Sequence, residues 1–345
     1  MKHHLSVSFV IATYNSSRTI ERCLKSIRTQ KYPQKLIEII IADGGSTDGT
    51  LVIAKKYEAI VVHVDKDKQN AEYNKSIGIQ HASKDILAMV DHDNILPHNN
   101  WLTHMIEPFI DDPNIVGAET LRYHYDPNTS LLDRYFALFG AADPLVWYMG
   151  KADRLSYIHD TYVLAGTSTD RGNYYTIQFD KDNIPTIGAN GFLVRKAILM
   201  KYADARPGKY YDMDVNVDLI TRGFTTYAFV KDSILHLTGY GDIWYFLQRR
   251  LLFLTQYRFS EKGEQVKKNR RYGALKGADM WKLIFSIFLC LTVIVPFIDS
   301  LRGWRKIHDS AWFLHTIFAV SFVVIYSWAI MKRQLDTYGK KILEK

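Results

Sequence analysis

The sequence predicts an α/β domain with a mostly parallel sheet, followed by an amphipathic interface helix and two transmembrane helices. Three observations predict it. Short β-branched apolar runs alternate with helical periodicity over residues 5–90, polar clusters close three of those runs, and the last quarter of the chain holds two long apolar stretches.

Leu5 to Thr13 is an apolar, β-branched run that reads as a strand, and Asn15 to Ser17 offers a cap for a helix over Thr19 to Gln30. The unit then repeats. Ile37 to Ala42 reads as a strand closing on Asp43-Gly44-Gly45-Ser46-Thr47-Asp48-Gly49-Thr50, and Leu51 to Tyr57 as a helix. Ala59 to Val64 reads as a strand, Asn74 to Ala82 as a helix, and Ile86 to Val90 as a strand ending at Asp91-His92-Asp93-Asn94. In open α/β sheets ligands bind beyond the carboxyl ends of the strands, where these polar clusters sit.

Composition bounds the function. With 345 residues, 47% hydrophobic and 23% charged, the chain can bury a core, which excludes a disordered protein. A net charge of +8 and a pI near 9.1 suit an anionic partner: nucleic acid, a phosphorylated substrate or lipid headgroups. The two cysteines, Cys23 and Cys290, are too few and too far apart for a disulfide framework or a cysteine metal site.

Met280 to Ile298 has one charge, Lys282, at its edge, and Ala311 to Met331 has no Asp, Glu, Lys or Arg. About 20 helical residues cover the ~30 Å of a hydrocarbon core, so each stretch is expected to span a membrane. Lys267, Lys268, Arg270, Arg271 and Lys276 precede the pair, Lys332, Arg333, Lys340, Lys341 and Lys345 follow it, and the link holds only Arg302, Arg305 and Lys306. This distribution predicts both termini on the cytoplasmic side of a cell membrane. The apolar run near the amino terminus is too short and too promptly interrupted for a signal peptide, so the α/β domain is expected to be cytoplasmic. The basic residues cluster beside hydrophobic stretches, which favours anionic lipid over nucleic acid. Asp242 to Phe259 combines Trp244, Tyr245 and Phe246 with Arg249, Arg250 and Arg258, as an amphipathic helix on such a surface would. Residues 1–235 are thus expected to form the α/β domain, with 97–185 an aromatic-rich insertion at the membrane interface. Residues 236–279 would be juxtamembrane and 280–335 a helical hairpin.

Asp91 and Asp93 place two carboxylates one residue apart at a strand end, where they repel unless a cation lies between them. Hard oxygen ligands select Mg²⁺ or Mn²⁺, which completes its shell with substrate phosphates and water. An isolated D-x-D is more often a solvated turn; here it is one member of an ordered set.

That set resembles the family-2 inverting glycosyltransferases of the GT-A fold, over residues 5–260. VSFVIATYNSSRTIERCLKSI looks like their opening strand and helix, IIIADGGSTDGT like the nucleotide loop, YNKSIGIQHASKDILAMVDHDN like the segment into the metal motif, and GANGFLVRKA like the acceptor-side strand. The resemblance implies that Thr13, Tyr14 and Asn15 line the nucleoside pocket, that Asp43 hydrogen-bonds the base, and that Asp91 and Asp93 face the sugar diphosphate and metal. It places Lys75 where the family often has a basic residue. Ala12 replaces the commoner proline, and Ser76 a frequent asparagine.

Inverting transfer to a hydroxyl needs a base. In KYYDMDVNVDLITRGF the spacing from Asp212 to Gly223 is similar to the family's acidic motif, with Tyr211 where a glutamate is usual. Asp212 is therefore the expected base and Asp214 the reserve, although aspartates at a helix start also serve as simple dipole partners. His236 resembles a histidine that approaches the metal or diphosphate in relatives; a lone histidine is more often structural. Together these features predict a membrane-anchored glycosyltransferase that uses a UDP- or GDP-sugar and glycosylates a lipid-linked saccharide or another membrane-associated hydroxyl. Transfer to a polyprenyl phosphate, and a catalytically silent nucleotide-sugar-binding module, remain as alternatives. Two spans are too few for a polymer channel, which disfavours processive synthesis with export.

Overall fold

A computed structural model describes residues 4–180, 186–258 and 277–343. The described chain divides into two compact units. One comprises residues 1–125, 153–155 and 161–237, and the other 126–152, 156–160 and 238–345.

The first unit is an α/β layer structure. Strand β1 (Val7–Thr13) is followed by α1 (Ile20–Arg28), β2 (Ile37–Asp43), α2 (Thr50–Lys56), β3 (Ile60–His63), α3 (Ala71–His81) and β4 (Ile86–Met89). The repeat read from the sequence is therefore present, with strand and helix ends moved by a few residues. β1 is buried along its whole length and pairs in parallel with β2 on one side and β4 on the other. Burial on both faces explains why these strands read as continuous apolar runs.

Beyond β4 come β5 (Asn94–Ile95), α4 (Trp101–Asp111) and β6 (Gly117–Tyr123), then β7 (Thr167–Asp170), β8 (Tyr174–Gln178), β9 (Phe192–Arg195), α7 (Lys196–Tyr202), α8 (Asp212–Thr221) and β10 (Thr226–His236). The strand order is β3-β2-β1-β4-β9-β6-β10-β8-β7, with β5 paired to β10. β9 runs antiparallel to both β4 and β6, and β10 runs parallel to β6 with a bulge between Val230 and Ser233. The carboxyl ends of β1, β4 and β10 deliver Thr13, the Asp91–Asn94 turn and His236.

The second unit holds α5 (Leu131–Phe139), α6 (Pro144–Tyr148), α9 (Ile243–Phe253), α10 (Gly277–Leu291), α11 (Ile294–Lys306) and α12 (Leu314–Leu343). Around a buried aromatic core that includes Tyr135, Phe139, Trp312, Phe318 and Phe322, it buries several polar groups and exposes large apolar ones. Asp143, Asp279, Asp299, Ser300, Asp309 and His315 are buried, whereas Trp244, Trp281, Phe285, Phe288, Ile294, Val324 and Trp328 are exposed. The buried groups partner one another: Tyr148 donates to Asp299 at 3.0 Å, Tyr326 donates to Asp143 at 2.7 Å, and Arg250 reaches Asp143 at 3.2 Å. Asp242 caps α9 by accepting from the Tyr245 N–H at 2.6 Å.

One expectation changes here. Met280 to Ile298 is not one continuous helix: α10 and α11 are bent by 80° at a break after Leu291. The window averages hydropathy and does not register the tight turn at Val293, φ 61° and ψ −40°, closed by the Ile294 N–H donating to the Thr292 carbonyl at 2.6 Å. Pro296 then sits in the first turn of α11, where its missing N–H costs nothing. Ser310–Asp336 is long and apolar enough to cross a membrane. Of the flanking basic residues, Lys267, Lys268, Arg270, Arg271, Lys276 and Lys345 lie outside the described residues.

Candidate functional site

A cavity of about 420 Å³ opens in the first unit at the strand ends. Ala12 and Thr13 at the end of β1 with Tyr14 after it, Glu72 and Lys75 on α3, Asp91 to Asp93 after β4, Asp212 on α8 and His236 on β10 all line it. Residues more than 200 positions apart therefore meet in one place.

Helix α3 is aimed at the site by its own start. Asn70 caps it, accepting the Tyr73 N–H at 2.9 Å, and the Asn74 amide donates to the carbonyls of Thr13 and Ala42 at 3.4 Å each. This fixes the next residue, Lys75, whose side chain is 3% exposed and whose Nζ lies 3.1 Å from Asp91 Oδ1 and 3.3 Å from Asp212 Oδ2. Burial opposes the ammonium charge, but Asp212 and Asp91 outweigh it and hold Lys75 above the usual lysine range. Tyr210 donates to the other oxygen, Asp212 Oδ1, at 2.7 Å. Both oxygens of Asp212 thus have partners.

The Asp91–Asn94 turn is held from behind. The Asp91 N–H donates to Asn94 Oδ1 at 3.0 Å, and the fully buried Asn94 gives its amide to Asn190 Oδ1 at 3.1 Å. Asn190, at φ 52°, in turn donates to the Tyr123 hydroxyl at 3.1 Å. Buried Arg154 fastens this loop by donating to the Ala189 and Asn190 carbonyls at 3.3 and 2.8 Å, and pairs with Glu119 at 2.8 Å. Burial pushes the Glu119 carboxyl up to about 8; Arg154 works against that shift and Asp153 with it.

Asp93 faces His236, with Oδ2 3.5 Å from Nε2. Burial raises the Asp93 carboxyl, and the charges of His236 and His92 overcome it, leaving a net lowering. Asp91 and Asp93 are 29% and 20% exposed at their side chains, so their oxygens remain reachable from the cavity. Two hard carboxylates and an imidazole on one open wall suit Mg²⁺ or Mn²⁺ chemically.

Other expected site residues fall differently. Asp43 is fully buried, and its carboxylate accepts from the Thr13 hydroxyl, from the Gly45 and Ser46 N–H groups and from the Ser46 hydroxyl. In this arrangement it shapes the loop after β2 instead of lining the cavity. Asn15, at φ 50°, likewise uses its Oδ1 to accept the Thr47 N–H at 2.9 Å. Asp214, the reserve base, is 1% exposed and does not line the cavity. Sequence reading passed over Tyr210, Asn94, Asn190 and Arg154. Asn94 abuts the D-x-D and Asn190 lies in GANGF, but nothing local signals that they bond each other.

His98, His104 and Asp232 form a second cluster, with His98 Nε2 3.0 Å and His104 Nδ1 2.8 Å from the carboxylate. His98 Nδ1 accepts the Asn100 N–H at 3.3 Å, which leaves the ring proton on Nε2, pointing at Asp232. The cluster is thus a hydrogen-bonded clamp across β10 and α4.

Comparison with known proteins places this geometry. Residues 8–202, more than half of the chain, match the family Glycosyl transferase family 2. The glycosyltransferase AglE of Haloferax volcanii is 34% identical over 100 residues, 28% of this chain and 33% of that protein. Poly-beta-1,6-N-acetyl-D-glucosamine synthase of Staphylococcus epidermidis is 32% identical over 120 residues, 33% of this chain and 27% of its own length. The chain thus spans about a third or less of these relatives. The mannosyltransferase PcManGT of Pyrobaculum calidifontis, solved with GDP-Man and Mn²⁺, superposes with a TM-score of 0.52 at 16% identity, covering 97% of this chain and 88% of that one. The chain belongs to glycosyl transferase family 2 and has its GT-A fold.

Proposed function

We propose that this transferase moves a sugar, with inversion, from a UDP- or GDP-sugar to a hydroxyl of a lipid-linked saccharide or other membrane-associated acceptor at the cytoplasmic face of a membrane. The observation that carries the reading is the convergence of Asp91, Asp93, Lys75, Asp212 and His236 on one cavity.

Asp91 and Asp93, with His236 beside them, would hold the divalent metal, which when bound supplies positive charge to the leaving diphosphate. Thr13 and Tyr14, which line the cavity, would face the nucleoside. Asp212 would accept the acceptor hydroxyl's proton, held in place by Tyr210 and Lys75. The large exposed apolar side chains of the second unit, Trp281, Phe285, Phe288, Ile294, Val324 and Trp328 among them, support a membrane location.

One observation favours a second reading. Both oxygens of Asp212 are already engaged, by Lys75 and Tyr210, and a polyprenyl phosphate is an ionised nucleophile with no proton to lose. Nucleoside diphosphate release from a panel of donors, followed by mass analysis of extracted lipids, separates the two. With a hydroxyl acceptor, Asp212→Asn lowers turnover by about 10²–10⁴-fold while nucleotide-sugar binding persists. A glycosyl monophosphate lipid, with Asp212→Asn still active, would establish the second reading. Failure to release nucleoside diphosphate from any donor in the panel would leave only the binding module.

A further inference from the structure

We propose that α10 and α11 form a re-entrant wedge that enters and leaves the bilayer on the side of the first unit, so that the pair does not carry the chain across. The inference rests on the membrane location proposed above and goes beyond it.

The lengths come first. From Asp279 to Leu291, α10 has 13 residues, about 20 Å of helix against a hydrocarbon core of ~30 Å. Where it stops, the chain turns through 80°.

The turn itself is equipped for an environment without water, where an unpaired backbone group costs several kcal/mol. The Thr292 hydroxyl donates to the Leu289 carbonyl at 2.7 Å and accepts the Val295 N–H at 3.2 Å. The Phe297 N–H reaches the Val293 carbonyl at 3.0 Å. The side chains around the turn, Leu291, Val293, Ile294 and Phe297, are all apolar and exposed. The exposed Val293 side chain at this tight turn gains by contact with acyl chains what it would lose in water.

Polarity rises away from the turn along both arms. Trp281, 76% exposed, stands near the start of α10, and Trp304, 39% exposed, near the end of α11, followed by Arg305 and Lys306. Paired tryptophans with adjacent cations mark one headgroup level on the way in and on the way out.

The anchoring ion pairs agree. Asp279 at the start of the pair meets Lys151 at 3.2 Å, Lys306 at its end meets Asp160 at 2.6 Å, and Asp309 just beyond meets Arg134 at 2.8 Å. Lys151 is two residues from Asp153, and Asp160 directly precedes Thr161, positions where the chain passes into the first unit. Both arms therefore end beside segments that are continuous with the catalytic half of the chain. Arg302, Arg305 and Lys306, expected to face the far side of the membrane, instead join the basic face toward anionic headgroups on the near side.

The test is side-specific labelling of the full-length chain in sealed inside-out and right-side-out membrane vesicles, using a membrane-impermeant maleimide. In a Cys23→Ser, Cys290→Ser background, Lys55→Cys reports the first unit, Arg305→Cys the end of α11 and Val293→Cys the turn. The wedge predicts that Arg305→Cys and Lys55→Cys label from the same side to equal extents, and that Val293→Cys labels only after detergent. Labelling of Arg305→Cys solely from the side opposite Lys55→Cys, in protein that resists carbonate extraction, would overturn the wedge. Removal by carbonate, with Val293→Cys labelled before detergent, would overturn the membrane location and the wedge with it.

Discussion

Replacing Lys75 by Met removes the only group seen bridging Asp91 and Asp212 among the described residues. Its Nζ lies 3.1 and 3.3 Å from the two carboxylates, and its side chain is 3% exposed. At an effective dielectric of about 20, each contact is worth roughly 5 kcal/mol of Coulomb attraction before desolvation. Withdrawing the ammonium from water offsets several kcal/mol of this, and deletion of one partner from a buried pair costs about 3–5 kcal/mol net. Two carboxylates are then left facing each other with no cation. Lys75→Met is expected to lower the midpoint of thermal unfolding by on the order of 10 °C without metal, and by less with saturating Mn²⁺, because a cation bound at Asp91 restores part of the missing charge. Nucleoside diphosphate release should fall in parallel. A double-mutant cycle with Asp212→Asn isolates the pair, with an expected coupling of about 1–3 kcal/mol. Additive effects in that cycle, or a midpoint for Lys75→Met equal to the parent's in metal-free buffer, would refute the bridging role.

Asn94→Ala strands the Asp91 N–H and the Asn190 amide oxygen, a loss of about 1–3 kcal/mol for a buried unsatisfied group, and should raise the Mn²⁺ concentration for half-maximal turnover roughly tenfold; a metal titration followed by nucleoside diphosphate release checks it. Glu119 gives a pH signature. Its folded-state carboxyl is pushed up to about 8 from the 4.5 of the unperturbed group, so the folded chain holds a proton that the unfolded chain releases. The stability this contributes is complete below about pH 4.5, declines as pH rises toward 8 and is absent above it. Thermal unfolding of the parent and of Glu119→Gln at pH 5, 6.5 and 8 should therefore show the parent losing ground to the variant as pH rises.

Much of the first unit could be read in advance because its signals are local. The strands β1, β2 and β4 are buried on both faces and carry unbroken β-branched runs, so Leu5 to Thr13, Ile37 to Ala42 and Ile86 to Val90 fell within a few residues of the observed elements. The convergence of Lys75 on Asp212, and of Asn94 on Asn190, depends on how β9 inserts antiparallel between β4 and β6, which no local pattern encodes. Asp43 illustrates the converse. Its motif was visible, but whether the carboxylate faces a ligand or its own loop is decided by the local turn partner Ser46 together with Thr13, which is thirty residues away and comes within bonding distance only after folding. In the second unit hydropathy located the apolar segments correctly and missed the break at Thr292, because backbone conformation at one valine leaves the average unchanged.

The most direct measurement is nucleoside diphosphate release by the full-length chain in membranes, titrated with Mn²⁺ after EDTA treatment, for the parent and for Asp93→Asn. The account predicts no turnover without metal, recovery on adding Mn²⁺, and at least a hundredfold loss for Asp93→Asn at saturating metal, about 2.7 kcal/mol of transition-state stabilisation. Full turnover in EDTA, or an Asp93→Asn variant as active as the parent, would contradict it.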